Sequence, residues 1–211
     1  MFLKNHILHM KGLVPEDECK KIIYYFESHQ ELHCDGLVGG GKKNDRSKKD
    51  TEIYCNFIKS QGPCWISKYL NVAIEEYSQQ YPEMSALSMY DKSQYFKLQR
   101  YFPSEGYFVY HCENDNPSVS DRVLAWMIYL NDVTDDGYTE FPNQKKKYQP
   151  RTGDVLIWPA YFTHTHIEEL PVNLKPSILQ QDGLIFYDVS SQLHETKEER
   201  LCKTYSNFHE N

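Results

Sequence analysis

Two helical stretches followed by a series of short, regularly punctuated β segments constrain the fold of this 211-residue chain more than any other feature. Residues 15–29 predict a helix. Pro15 suits the first turn, Glu16, Asp17 and Glu18 complement the N-terminal dipole, and Cys19, Ile22, Ile23 and Phe26 form an apolar stripe. A second helix is expected over 63–80, where Ile66, Leu70, Ala73, Ile74 and Tyr77 recur at helical spacing. From Gln94 the period shortens to that of strands: SQYFKLQRY, GYFVYHCE, RVLAWMIYLND, YTEF, GDVLIWP and SILQQDGLIFY, separated by Pro, Gly and Asp turn signals. Helices first and strands after imply an α+β chain whose sheet half is a sandwich or jelly roll.

At 211 residues one domain is the simplest organisation. Residues 1–90 are expected to form its helical N-terminal part and 94–188 its sheet core. Between the helices, GLVGGGKKNDRSKKD (36–50) reads as a long mobile loop, either a solvated linker or a lid over a substrate groove. The lysine run 145–147 reads as a solvated hairpin loop. Tyrosines number 17, so the core is expected to use amphipathic rings whose hydroxyls reach a rim or pocket. Tyr95, Tyr101, Trp126 and Trp158 are the expected lining of a barrel interior.

The net charge of −7 disfavours nucleic acid and anionic membrane surfaces as partners, because both need a basic face. The six cysteines (19, 34, 55, 64, 112 and 202) include no close pair, which excludes zinc-finger and thioredoxin patterns and suits a reducing, cytoplasmic compartment. No stretch approaches membrane-spanning length, and MFLKNHILHMKG lacks an unbroken apolar core, so a soluble protein is expected.

Chemistry is concentrated at His111 and Glu113, with His164 and His166 about fifty residues downstream. Residues two apart on a strand share a face, so His111 and Glu113 can converge on one ion while Cys112 points away. One further histidine from a neighbouring strand completes a two-His-one-carboxylate triad. Such a triad suits Fe(II) by leaving three positions open, and zinc accepts the same donors in a tetrahedral site. By spacing alone either His164 or His166 can be the third donor.

The ordered series around these residues resembles the prolyl 4-hydroxylase-like branch of the 2-oxoglutarate- and Fe(II)-dependent oxygenases, in its form with His-x-Glu. Tyr101, Gly106 and Tyr107 precede His111, Arg122 opens an apolar strand ending in YLND, YTEFP follows a turn, and PRTGDVLIWP leads into THTH. The resemblance runs from about Tyr101 to Tyr187 and, more faintly, over 10–58. It implies a double-stranded β-helix (jelly roll) with N-terminal helices packed on its major sheet. It also implies Fe(II) as metal, 2-oxoglutarate as cosubstrate and a place for ascorbate as reductant. His111, Glu113 and His166 are the implied ligands, His166 being chosen over His164 for its distance to Pro171. Tyr101, Thr139 and Lys175 are the implied contacts of the far 2-oxoglutarate carboxylate.

Three positions depart from the family. Pro176 stands where an anchoring cation is expected, one residue after Lys175, and Arg100 and Arg122 are the substitutes for it. Asp136 replaces a usual glycine, and Ile167 a frequent arginine. The implied reaction is hydroxylation of a C–H bond, with a prolyl residue of a peptide or protein as substrate and a small molecule as the other choice. Two rival classes are a jelly-roll binding module without catalysis and a cupin-like metalloenzyme that does not use 2-oxoglutarate.

Overall fold

The structure, a computed structural model, describes residues 5–38, 41–86, 90–102, 105–133, 137–168 and 178–187. Along the chain these residues form β1 (Leu8–Met10), α1 (Glu16–Ser28), β2 (Cys34–Asp35), β3 (Lys48–Lys49), β4 (Thr51–Asn56), α2 (Ser67–Gln80) and α3 (Pro82–Ala86). Then follow β5 (Tyr90–Tyr101), β6 (Gly106–His111), β7 (Arg122–Tyr129), β8 (Thr139–Phe141), β9 (Lys146–Tyr148), β10 (Val155–Pro159), β11 (His166–Glu168) and β12 (Ile178–Tyr187). The strands make two antiparallel sheets, ordered β1-β10-β7-β12-β5-β4-β2 and β3-β6-β11-β8-β9.

Helices α1 and α2 lie on the larger sheet. Cys19, Ile22 and Phe26 of α1 and Leu70, Ala73 and Tyr77 of α2 share one buried cluster with Ile53, Phe96, Leu98, Leu124, Trp126, Ile128, Val155 and Ile157. Residues that alternate with these on β7 and β10 face the other way. Ala125, Met127, Tyr129, Leu156 and Trp158 pack with Phe141 of the smaller sheet. Strand β7 is therefore covered on both faces, which is why RVLAWMIY is apolar with hardly a break. Each fully buried aliphatic or aromatic side chain here stabilises the fold by roughly 1.5–3 kcal/mol before entropy is subtracted. Gly153 closes the turn into β10 at φ +80, and a Cβ there would stand 2.0 Å from the Val14 carbonyl, so only glycine fits.

The expected helices are present, the second starting as a short 3-10 turn at Cys64–Ile66. Three expectations differ. Segment 36–50 is not loop throughout: it contains β2's partner contact at Gly36, whose N–H bonds the Asp50 carbonyl, and it ends in β3, paired with β6. Lys48 is 3% exposed, held there by the Glu52 carboxylate and, at 3.3 Å, by Asp50. The lysine run also enters a strand, because Lys146 and Lys147 pair with Phe141 and Glu140 of β8. Trp126 lies in the helix-side cluster, not between the sheets. The first ninety residues contribute β1, β2 and β4 to the larger sheet and β3 to the smaller. Among the described residues no helix is long and apolar enough to cross a membrane.

Candidate metal centre

The interior between the sheets divides into an apolar half and a polar half. Met127, Tyr129, Leu156, Trp158 and Phe141 fill the first. Alternate residues of β4 and β5 supply the second. Gln99 Nε2 donates to Asp50 (2.9 Å), to Glu52 (3.1 Å) and to the Tyr101 hydroxyl (3.3 Å), and Lys48 pairs with both acids.

His111 ends β6, and His166 opens β11 directly opposite it in the antiparallel register. Glu113 follows two residues after His111. Its position is fixed by Asn114, whose N–H donates to the Ala160 carbonyl and whose side-chain amide donates to the carbonyls of Ser120 and Arg122. One donor atom from each of His111, Glu113 and His166 lies within 4.8 Å of the other two. Glu113 Oε1 stands 3.5 Å from His111 Nε2 and 3.6 Å from His166 Nε2. Donors at right angles around one ion with bonds of about 2.1 Å lie roughly 3 Å apart, so the set fits a divalent cation after small adjustment.

Hydrogen bonding selects the tautomers this requires. His111 Nδ1 faces the Val109 carbonyl at 3.1 Å, and His166 Nδ1 faces the His164 carbonyl at 3.1 Å. With those nitrogens as donors, both Nε2 lone pairs point at the shared space. Tyr107 stacks on His111 with ring centroids 3.6 Å apart, and Trp158 and Phe141 enclose His166. Burial pushes the Glu113 carboxyl up, but the two imidazoles beside it outweigh burial and hold it well below the usual carboxylate range. Burial lowers His166, and Glu113 and Glu168 more than reverse this, bringing it up to about 9. A carboxylate flanked by two neutral-capable imidazoles is the donor chemistry of a borderline transition metal, and the residues fit Fe(II).

His164 stands elsewhere. It closes a 3-10 turn, Phe162–His164, so strand alternation does not apply to it, and its Nε2 contacts the Asn5 carbonyl at 2.9 Å. Burial pushes its imidazole down. Tyr101 is fully buried and faces the polar half. Thr139 is buried too, with its hydroxyl accepting from Tyr129 at 2.7 Å and reaching Met127 sulfur at 3.7 Å. Lys175, Pro176 and Asp136 lie outside the described residues. Of the substitute anchors, Arg100 is paired with Glu27 of α1 and stacked on Phe26, on the helix side. Arg122 instead clamps the triad: it donates to the Glu113 carbonyl at 3.0 Å and lies 3.5 Å from its carboxylate. Sequence reasoning passed over Glu168 and the clamp by Arg122. The same two-residue alternation that joined His111 to Glu113 would have placed Glu168 beside His166.

A sequence profile described as 2OG-Fe(II) oxygenase superfamily matches residues 96–178, a span holding all three convergent donors. A protein of Acanthamoeba polyphaga mimivirus named "Putative prolyl 4-hydroxylase" is 25% identical over 161 residues, covering 71% of this chain. The aligned part spans 58% of that relative's length. Among solved structures, the viral collagen prolyl hydroxylase of Paramecium bursaria Chlorella virus-1 in its 2OG complex superposes with TM-score 0.58 at 16% identity, covering 87% of this chain and 97% of its own. A Trichoplax adhaerens prolyl hydroxylase bound to a hypoxia inducible factor peptide gives TM-score 0.65 at 15% identity, with 94% and 87% covered. At these identities the structural likeness is one of fold. Profile, relative and fold point the same way: over residues 96–178 the chain is similar to the 2-oxoglutarate- and Fe(II)-dependent oxygenase superfamily, and its fold is similar to that of prolyl hydroxylases.

Proposed function

We propose that this protein is a 2-oxoglutarate-dependent Fe(II) dioxygenase that hydroxylates a C–H bond, with a prolyl residue of a peptide or protein as its substrate class. The observation that carries this reading is the convergence of His111, Glu113 and His166 between two antiparallel sheets. Those sheets fit a double-stranded β-helix, with 1–211 acting as one domain. When bound, Fe(II) and 2-oxoglutarate supply an oxidative decarboxylation to succinate and carbon dioxide that furnishes the oxidant for the substrate.

The chain's own residues supply geometry and shielding. His111, Glu113 and His166 hold the metal, with their tautomers set by the Val109 and His164 carbonyls. Arg122 keeps the Glu113 carboxylate turned inward. Trp158, Phe141 and Tyr107 crowd the imidazoles and exclude water. A retained carboxylate at 113 supports hydroxylation over halogenation, which needs that position free for a halide. Phe108, Val109 and Tyr110 lie exposed on β6 immediately before His111 and offer an apolar ridge for a peptide.

For the far carboxylate of 2-oxoglutarate, Tyr101 and Thr139 supply hydroxyls and Lys175 the charge. Supporting Lys175 is the commitment of described cations: Lys48 pairs with Asp50 and Glu52, Arg100 with Glu27, and Arg122 with Glu113. The test is succinate formation from 2-oxoglutarate with Fe(II), in the absence and presence of proline-rich peptides. Metal-dependent succinate, increased by peptide, is expected; none under either condition sinks the reading in favour of a non-catalytic binding module. Lys175→Ala should raise the 2-oxoglutarate concentration for half-maximal succinate about 10- to 100-fold, the loss of one charge-assisted bond of roughly 1.5–3 kcal/mol.

A further inference from the structure

Among the described residues, Glu168 is the one buried carboxylate beside the triad that none of the roles above uses. It is the second residue after His166 on β11 and is 3% exposed. Its Oε1 lies 3.4 Å from His166 Nε2, while Glu113 Oε1 lies 3.6 Å from the same nitrogen. Two carboxylates thus flank the one atom of His166 that faces the metal. Their surroundings differ: Glu113 is also met by His111 and Arg122, whereas among the described residues neither Glu168 oxygen has a hydrogen-bond partner. A buried carboxylate without donors is destabilising by several kcal/mol unless a cation compensates it.

From this we propose that Glu168 is a fourth, displaceable donor to the metal, coordinating before 2-oxoglutarate arrives and leaving when it binds. The inference rests on reading His111, Glu113 and His166 as the metal site. Glu168 touches that set through His166 alone and falls outside the group whose donors all lie within 4.8 Å of one another. Opposite donors in an octahedron stand roughly 4 Å apart at bonds of about 2.1 Å, within reach of a side chain with two methylenes and no hydrogen bond to break. Displacement follows from position counting. Three protein donors leave three open positions, enough for a bidentate keto acid and a gas molecule, and four donors leave too few. A carboxylate next to an incoming dianion is also repelled by it. Exchange breaks the metal–Glu168 bond and one metal–water bond and forms two bonds to the keto acid, with no change in oxidation state.

Mn(II) is the probe, used with the full chain and with Glu168→Gln, which preserves side-chain shape. Affinity is measured by calorimetry, and exchangeable waters on bound Mn(II) are counted by magnetic resonance in 17O-enriched water. The wild type should retain about two waters and Glu168→Gln about three, both falling to about one when 2-oxoglutarate is saturating. Without 2-oxoglutarate the variant should bind Mn(II) about 10-fold more weakly, and with it the difference should shrink to about 2-fold. About three waters on the wild type, or equal affinities without 2-oxoglutarate, overturns the fourth donor and leaves the triad standing. The wild-type count needs no variant, so a misfolded Glu168→Gln does not decide the matter. No Mn(II) uptake by the wild type overturns the triad reading and this inference together.

Discussion

Replacing His166 with alanine should weaken Mn(II) or Fe(II) binding by more than about 100-fold, while the same change at His164 should leave affinity within about 3-fold. These two histidines, two residues apart, are chemically identical candidates in the sequence, and the structure separates them. His166 directs Nε2 toward Glu113, with its Nδ1 against a backbone carbonyl. His164 directs Nε2 to the Asn5 carbonyl on the far side of the turn, and only its main-chain oxygen serves the centre. That oxygen survives the alanine change. Losing an outer partner of a metal ligand costs about 10- to 100-fold in affinity, so losing the ligand itself must exceed that range. The measurement is a calorimetric titration of both variants beside the wild type. Loss of binding in His164→Ala with retention in His166→Ala would exchange their roles.

The second large effect is on stability, not chemistry. Lys48→Met should destabilise the protein by about 3–5 kcal/mol, because it leaves two buried carboxylates facing each other without their shared cation. Burial pushes Asp50 up to about 6, against the pull of Lys48. Burial acts upward on Glu52 as well, but Lys48 and Lys97 overcome it and bring that carboxyl down to about 2. A carboxyl raised above its unfolded value favours the fold at low pH, and the benefit fades as pH rises through the folded value. For Asp50 the window is about pH 4 to 6. A carboxyl lowered below its unfolded value acts oppositely, its contribution disappearing as pH falls from 4.5 toward 2, as for Glu52. Without Lys48, Asp50 keeps the Gln99 amide and Glu52 keeps Lys97 and Gln99, so burial weighs more heavily on both acids. The variant should therefore lose stability from about pH 5 to pH 8 more steeply than the wild type, whose own loss over that range comes from Asp50 up to about pH 6 and from His166 above it. Thermal denaturation at pH 5, 6.5 and 8 checks this, with a melting temperature about 10 °C or more below the wild type at pH 8. A melting temperature unchanged at all three values would mean that the acids find other partners.

Much of the architecture was legible because period alone carries it. The stripes Cys19–Ile22–Phe26 and Leu70–Ala73–Tyr77 appear as written, since one apolar face per helix has only the large sheet to cover. Strand β7 was visible as a strand, but its apolar run hides which face looks inward. Trp126 was expected in the interior and lies under the helices for that reason. Lys48 was invisible. In a Gly- and Lys-rich stretch it reads as solvent-facing, and its burial depends on Gln99, some fifty residues away, aligning Asp50 and Glu52 beside it. His111 and Glu113 were legible as a pair two residues apart, although β6 ends at His111 and Asn114 fixes Glu113 just beyond it. Alternation failed at His164 because a 3-10 turn, not a strand, carries it. The Arg122 clamp stayed hidden because it joins β7 to the segment after β6, a contact that local pattern does not encode, whereas Glu168 was open to its two-residue spacing from His166.

Titrating 2-oxoglutarate into Mn(II)-loaded and metal-free protein without oxygen tests the central assignment most directly. The account predicts stoichiometric binding to the loaded protein only, abolished in His111→Ala and His166→Ala. Equal binding with and without the metal, or none in either form, contradicts it.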